Sequence, residues 1–285
     1  MTTHSVPPPA PPTPPVNRRR RWLHAGVAGW AVVLLVATAV SVHRDEPTVR
    51  EQRSVGQATP VVERAVGDLV VAAGPEVVVE LAEPRRRTGC RLTPLREGAT
   101  LEAGVTLRAP AADADAALDR IADRLPPHYH AGVGREPDGA ARSLWADAGE
   151  FVLVEGEVSE PGLVTLTVST GCRPTSDGSD GPAVPPLPPA DPDPARVLTA
   201  LGATDVAPAG PTAAACPGQG RVWTVRATGR GVPAAPPGTL LPAPAGTVVV
   251  ADTPELYAYR AGPLSVVVEA LDGRIRAATT TGCPG

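Results

Sequence analysis

The four cysteines are the residues of this sequence whose types and spacing most directly imply chemistry. Three of them, Cys90, Cys172 and Cys283, each end a Thr-Gly-Cys tripeptide that follows a hydrophobic run. No two cysteines have the C-x-x-C spacing that is typical of metal-binding or redox-active thiols. An even number of cysteines, all beyond residue 43, is typical of an exported protein that forms disulfides.

Four cysteines permit three pairings, and we predict Cys90–Cys172 and Cys216–Cys283. Each bridge then lies within one of two predicted domains, and neither crosses the Pro-rich segment between them. Each bridge closes the long loop between its two cysteines. In the chain-entropy model, each of these closures stabilises the fold by roughly 4–5 kcal/mol. The alternative is that the thiols are reactive or metal-bound, which no spacing supports.

Other side chains with chemical potential do not form a recognisable site. His128 and His130 would share one face of a strand and could bind a metal, but they follow Pro126-Pro127 and no third ligand is placed. We therefore interpret them as exposed loop histidines. The acidic run at 177–181 lacks the spacing of a calcium loop, and no G-x-S-x-G nucleophile motif occurs. The sequence assigns no catalytic, cofactor-binding or metal-binding residue.

The densest basic run beyond the N-terminal region is Arg85-Arg86-Arg87. The run lies between two strand-like segments, so we predict that it forms a hairpin turn. There it could contact anionic lipid head groups or a polymer of the cell envelope. The alternative interpretation is a solvated turn without a ligand.

The N-terminal region predicts a membrane anchor. Residues 1–21 form a Pro-rich tail that ends in four arginines, and we expect the tail to be disordered; a Pro-rich ligand for a partner domain is the alternative. Residues 22–42 contain no Asp, Glu, Arg or Lys, and a helix of this length spans about 31 Å, the thickness of a bilayer core. The positive-inside rule places the tail in the cytoplasm and residues 43–285 outside.

The competing interpretation of the same region is a cleaved signal peptide. Ala37-Thr38-Ala39 has the small-x-small form that signal peptidases recognise, and cleavage there would release a chain beginning near Val40. Both interpretations place the remainder of the protein outside the cytoplasm.

Composition excludes general nucleic-acid binding. Four of the 26 basic residues lie at 18–21, so the remaining 22 are outnumbered by 30 acidic residues, a net charge of −8. All basic residues are Arg, and Ala, Val and Pro are abundant, which is typical of a GC-rich genome such as an actinobacterium's.

The exported part is predicted to contain two small domains. A polar stalk at 43–56 precedes the first domain at 57–173, a Pro-rich linker occupies 174–193, and the second domain spans 194–285. Three amphipathic helices have capping signals: Thr59-Pro60 begins one that ends at Gly74-Pro75, and the others begin near Asp113 and at Asp193.

Each helix is followed by a hairpin-like pair of apolar runs, at 76–90, 151–172 and 264–283. The segments "AGEFVLVE" and "AGPLSVVVE" are similar enough to indicate a diverged duplication. We therefore predict the α+β class, with a helix packed on an antiparallel sheet in each domain.

These features favour a single-pass, membrane-anchored protein that acts by binding outside the cytoplasm. Its predicted partners are the lipid bilayer, through residues 22–42, and a polymer or protein of the envelope. The alternatives are an exported enzyme that acts on envelope material, and an extracytoplasmic sensor or accessory subunit.

Overall fold

The computed structural model describes residues 18–44, 53–94, 96–135, 142–175 and 193–283. Most of the predicted Pro-rich tail, stalk and linker, including the acidic run at 177–181, lies outside the described residues. The chain divides into two compact units, Met1–Thr48 and Val49–Gly285.

The N-terminal unit contains one helix, α1 (Arg18–Arg44), which includes the predicted transmembrane segment. The large apolar side chains of α1, among them Trp22 and Trp30, are exposed. Among the described residues, however, no helix has the combination of length and apolar character that crossing a membrane requires. The predicted transmembrane span at 22–42 is therefore not supported.

The second unit consists of two six-stranded antiparallel sheets with helices, as the predicted α+β class requires. The first sheet has the strand order β1-β2-β6-β5-β4-β3. Its elements are α2 (Val55–Ala73), β1 (Val78–Thr93), β2 (Arg96–Arg108), α3 (Ala114–Arg124), β3 (Gly132–Arg135), β4 (Arg142–Asp147), β5 (Leu153–Glu160) and β6 (Leu163–Ser169).

The second sheet repeats this arrangement, with the order β7-β8-β12-β11-β10-β9. Its elements are α4 (Pro194–Ala200), β7 (Thr204–Ala215), β8 (Arg221–Arg230), α5 (Pro237–Leu240), β9 (Val248–Asp252), β10 (Leu256–Ala261), β11 (Leu264–Leu271) and β12 (Arg274–Thr281). Equal element order and equal strand order support the predicted duplication. The exact domain limits stay predictions.

The first predicted helix begins earlier than its sequence signals indicate. Ser54, rather than Thr59, is the N-cap, because Ser54 and Gln57 form a reciprocal capping box with bonds of 3.3 and 2.9 Å. Pro60 consequently lies inside α2 rather than at its first position. The start of α4 is confirmed, since the Asp193 carboxylate accepts a bond from the Ala195 N–H.

The predicted hairpin at 76–90 is wrong. From Val78 onward those residues belong to a single strand, β1, which continues to Thr93 and pairs with β2 along its length, with three irregularities in the register. Pro84 lies in an irregularity of that pairing, between Ala82 and Arg85, on a strand at the edge of its sheet. A proline at such a position removes no essential ladder bond, so the strand passes through it. Arg85-Arg86-Arg87 and Thr88-Gly89-Cys90 are therefore inside a strand.

The other two predicted hairpins are confirmed as β5–β6 and β11–β12. The second turns through Asp272 and Gly273, whose φ angles of 51° and 72° suit a two-residue hairpin loop. The remaining Thr-Gly-Cys tripeptides lie where predicted, directly after β6 and at the end of β12.

Helices cover one face of each sheet. In the first sheet, Leu69 of α2 and Leu118 of α3 are fully buried against strand residues such as Leu166. In the second sheet, Leu198 of the shorter helix α4 packs with Ile275 and Val268. We call the opposite side of each sheet its outer face.

The two sheets are joined because the free edge of β1 lies on the outer face of the second sheet. The backbone N–H of Val79 donates to the Ser265 hydroxyl, and that of Leu81 donates to the Thr224 hydroxyl, each at 3.0 Å. Val78 packs in an apolar cluster with Ala258, Val267 and Ala278. Side-chain hydroxyls thus satisfy edge donors that would otherwise be buried without partners.

A buried carboxylate fixes this contact. Glu80, which lies between the two donating residues, is 7% exposed. Its Oε1 accepts bonds from Arg226 Nε, at 2.8 Å, and from Arg276. Arg276 also donates a hydrogen bond of 2.8 Å to Glu269, and Glu269 accepts a second hydrogen bond from Arg108 of β2. The network therefore links both sheets through four charged side chains around Glu80.

We predict that Glu80→Gln destabilises the protein strongly, because it leaves Arg226 and Arg276 without their shared buried anion. Breaking a buried ion pair on one side costs about 3–5 kcal/mol. Glu102→Gln is the matched control, because Glu102 pairs with Arg87, whose side chain is 67% exposed. Loss of such a surface pair should lower the free energy of unfolding by at most about 1 kcal/mol. Denaturant unfolding of both variants measures the difference, and equal losses would contradict the assignment.

Candidate functional site

Both predicted disulfides are present. Cys90 is bonded to Cys172 and Cys216 to Cys283, with Cα–Cα distances of 5.9 and 5.6 Å, and no cysteine is free. The bridges occupy equivalent places in the two sheets. Cys90 of β1 is bonded to Cys172, which follows β6, and Cys216, which follows β7, is bonded to Cys283, which follows β12. Two such bonds indicate a protein that folds in an exported, oxidising compartment.

The arginine run predicted to contact anions is on the exposed part of β1. Arg85, Arg86 and Arg87 are exposed and lie opposite Glu102, Leu101 and Thr100 of β2. Arg87 Nε is 3.2 Å from Glu102 Oε2. The run is therefore a strand edge rather than a turn, and its contact with an anionic ligand stays a prediction.

The two histidines do not share a strand face; both are exposed and lie outside any strand. His128 lies in a short 3-10 turn with Tyr129, at 4.8 Å between ring centroids, and His130 follows in a left-handed conformation. Tyr129 is buried and donates a 2.5 Å hydrogen bond to Asp68 of α2. Within the described ranges, no three side chains of His, Cys, Asp or Glu are grouped closely enough to hold a metal ion.

Two concave regions have features that argue against a ligand site. A cavity of about 80 Å³ between α2, β1, β2 and β7 is much smaller than the 300–1,000 Å³ of typical ligand pockets. A cleft of about 610 Å³ at one end of the second sheet is lined by three arginines and three acidic residues. Two of its charged residues, Arg276 and Glu269, are paired with each other, and Arg276 also pairs with Glu80 in the contact between the sheets.

The best candidate site is an apolar groove of about 480 Å³ on the helix-covered face of the second sheet. We call it the tyrosine groove. No charged residue lines it, and its lining is Val197, Leu240, Leu241, Pro242, Pro244, Tyr257, Tyr259, Leu264, Val266 and Val268. The strands β10 and β11 form its floor, while α4 and the segment after α5 form its sides.

The groove exists because one helix of the duplicated unit is nearly missing. In the first sheet, α3 has 11 residues and covers the floor. Its Leu118 lies over Gly156, because a Cβ added to Gly156 would be 3.4 Å from the Leu118 side chain. The pairings of β5 and β11 with their neighbours make Val268 the counterpart of Gly156. The counterpart of α3 is α5, which has only four residues, in a segment where prolines prevent a longer helix.

The two tyrosines give the floor an aromatic and uncharged surface. Their ring centroids are 5.4 Å apart, and both residues are buried. Burial raises the pKa of Tyr257, although a hydrogen bond from the backbone of Ala243 opposes this rise. Burial also raises the pKa of Tyr259, with a further contribution from Tyr257. Both phenols therefore stay protonated at neutral pH.

Sequence reasoning missed this groove, although two signals were present. Two of the three tyrosines in the chain are Tyr257 and Tyr259, and their spacing of two residues places them on one face of a strand. The Pro-rich segment at 233–244 also replaces a helix of the first unit. Neither signal reveals a groove until the two sheets are compared.

Comparison with known proteins gives little further guidance. No family model matches the chain, and no curated protein matches it. Among solved structures, the chain is similar to a DUF4853 family protein from Actinomyces odontolyticus, with 19% identity and a TM-score of 0.33, over 62% of this chain and 95% of that one.

We predict that the groove tyrosines titrate abnormally. Burial raises the pKa of Tyr257, Tyr259 and Tyr129, so the folded protein keeps a larger share of its phenolic protons at pH 10 than free tyrosine, half of which is ionised there. The unfolded chain loses those protons first, so stability should fall as the pH rises above about 10. Ultraviolet absorbance titration checks this, with Tyr129→Phe isolating the groove pair. Normal titration of that variant would contradict a buried pair.

Proposed function

We propose that the protein is an exported binding protein whose tyrosine groove takes a small apolar molecule. The observation that carries this proposal is the difference between the two sheets: the first sheet buries its floor under the 11-residue α3, whereas in the second only the four-residue α5 and the Pro-rich segment after it lie over the equivalent floor, and a groove of about 480 Å³ remains. An apolar concavity of this size is typical of a site that binds a small molecule.

The physical character of the groove defines the ligand class. Its volume lies in the range of ligand pockets, and its lining offers aliphatic and aromatic surface without a charge. Binding would gain about 25 cal/mol for each Å² of apolar surface removed from water. A charged ligand would lose its hydration without compensation, so the ligand must be neutral where it enters the groove.

Export is the second part of the proposal. The two disulfides support an extracytoplasmic location, and we propose that residues 22–42 act as the export signal that also retains the chain at the membrane. The chemistry of the groove suits a compartment in which envelope lipids and other apolar molecules are available.

We predict that the protein binds N-phenyl-1-naphthylamine, a neutral apolar fluorophore, and that Leu264→Trp weakens binding by at least about tenfold, because the larger ring fills the groove. Leu271→Trp is the matched control: it makes the same change on the same strand, but Leu271 is 67% exposed and lies outside the groove. Fluorescence titration measures both affinities.

The thermal midpoint of each variant shows whether it is folded. Folded Leu264→Trp with unchanged probe affinity, or an equal loss in Leu271→Trp, would exclude the groove as the site. Competition by unbranched alcohols of increasing length would then rank the apolar ligands that fit.

We predict that residues beyond 43 are accessible to protease on intact cells and that the full-length chain sediments with membranes. Disulfide-bonded domains require the first result, and retention of residues 22–42 requires the second. A soluble chain that begins near Val40 would show cleavage instead of anchoring. Protection from protease would contradict export itself.

A further inference from the structure

The outer face of the first sheet carries exposed aromatic, apolar and acidic side chains together. Trp145 of β4 is 53% exposed and Leu153 of β5 is 44% exposed. Their neighbours on the same face are Asp147, Glu155 and Glu157, all exposed. We call these five residues the acidic face. In the described part of the chain, neither Glu155 nor Glu157 takes part in an ion pair.

The equivalent face of the second sheet binds a strand, and the duplicated fold allows the two faces to be compared residue by residue. Leu153 pairs with Ser169, and Ser265 pairs with Thr280, one residue before equivalent Thr-Gly-Cys tripeptides. This register makes Leu153 the counterpart of Ser265, and Glu155 that of Val267. In the second sheet, Ser265 and Val267 receive the edge of β1. The acidic face is therefore the equivalent of a surface that binds an edge strand within the same molecule.

Charge determines which strand the acidic face would accept. On the second sheet, the arriving strand brings Glu80 and the face supplies Arg226 and Arg276. On the first sheet the signs are reversed, because Gly104 and Thr165 replace those arginines and the face presents carboxylates. The occupant must therefore be an edge strand with basic side chains.

The same chain carries such a strand. β1 continues beyond the part that lies on the second sheet, and this continuation presents Arg85, Arg86, Arg87 and Arg91, all exposed. We call it the arginine edge. We propose that the acidic face of one molecule binds the arginine edge of a second copy.

Trp145 is positioned to assist this contact. An added Cβ at Gly132 would come within 2.9 Å of the indole ring, so the ring lies against β3 and leaves its other side exposed. An arginine that approaches Glu155, which is paired opposite Trp145 on β5, can stack on that ring. Arg87 and Glu102 already form such an Arg–carboxylate contact within one chain.

The contact joins two different surfaces, so it is head-to-tail. Every molecule has one acidic face and one arginine edge, and association can continue beyond a dimer. Because the side chains are exposed, salt should weaken the contact.

Sedimentation of the full-length chain in detergent tests the proposal at low and high ionic strength. We expect reversible association at low salt and dissociation at high salt. Reversing the face with Glu155→Arg and Glu157→Arg, or the edge with Arg85→Glu, Arg86→Glu and Arg87→Glu, should each weaken association by at least about tenfold. Mixing the two variants should restore it, since each reversed surface then meets its complement.

Glu255→Arg is the control, because Glu255 is exposed in the turn between β9 and β10, away from both proposed surfaces, and its reversal should leave association unchanged. Circular dichroism and thermal midpoints confirm that all variants are folded. A wild-type chain that stays monomeric at low salt and high concentration overturns the proposal. Association that persists in both reversed variants, or that mixing does not restore, also overturns it. These outcomes do not depend on the tyrosine groove.

Discussion

The edge of β1 on the second sheet is the contact on which the rest of the structure depends. An edge strand exposes backbone donors and acceptors, and burying them without partners would cost several kcal/mol. Here two hydroxyls accept two of the N–H groups, and Glu80 between them is held by two arginines. The strand β1 thus belongs to one sheet by its ladder, and it is held on the other sheet by its free backbone N–H groups and the Glu80 side chain. Neither half therefore presents an intact surface alone.

The two halves have kept their architecture where it is needed for folding and have diverged where surfaces are used. Strand order and disulfide positions are equivalent in both. The divergence concerns the covering layers. The first sheet keeps a full α3, whereas the second has a single turn; the second sheet's outer face accepts β1, whereas the first sheet's is exposed. Both proposed binding surfaces arise from these differences, since each is a place where one half lacks the cover that the other has.

Local signals explain what could be predicted from sequence. The cap at Asp193, the hairpins β5–β6 and β11–β12 and the cysteine pairing depend on residues close in sequence or on a simple division of the chain, and the structure confirms them. The hairpin turn predicted at Arg85-Arg86-Arg87 is wrong because the two flanking apolar segments belong to one edge strand, and an edge strand tolerates Pro84. Glu80 and its partners Arg226 and Arg276 are far apart in sequence, and the tyrosine groove depends on a helix that is missing. Only the assembled fold reveals such features.

The two faces of the second sheet support each other through β11. Successive residues of a strand point to opposite faces, so Val266 and Val268 form the floor of the tyrosine groove while Ser265 and Val267 hold β1. The strand β11, which forms part of the groove floor, is therefore held on its opposite face by the contact with β1. If the groove binds a ligand as proposed, a floor that is already fixed loses little conformational entropy on binding. Less of the free energy gained by burying apolar surface is then spent on ordering the site. The ion-pair network around Glu80 thus links the stability of the contact between the sheets to the position of the floor in the proposed binding site.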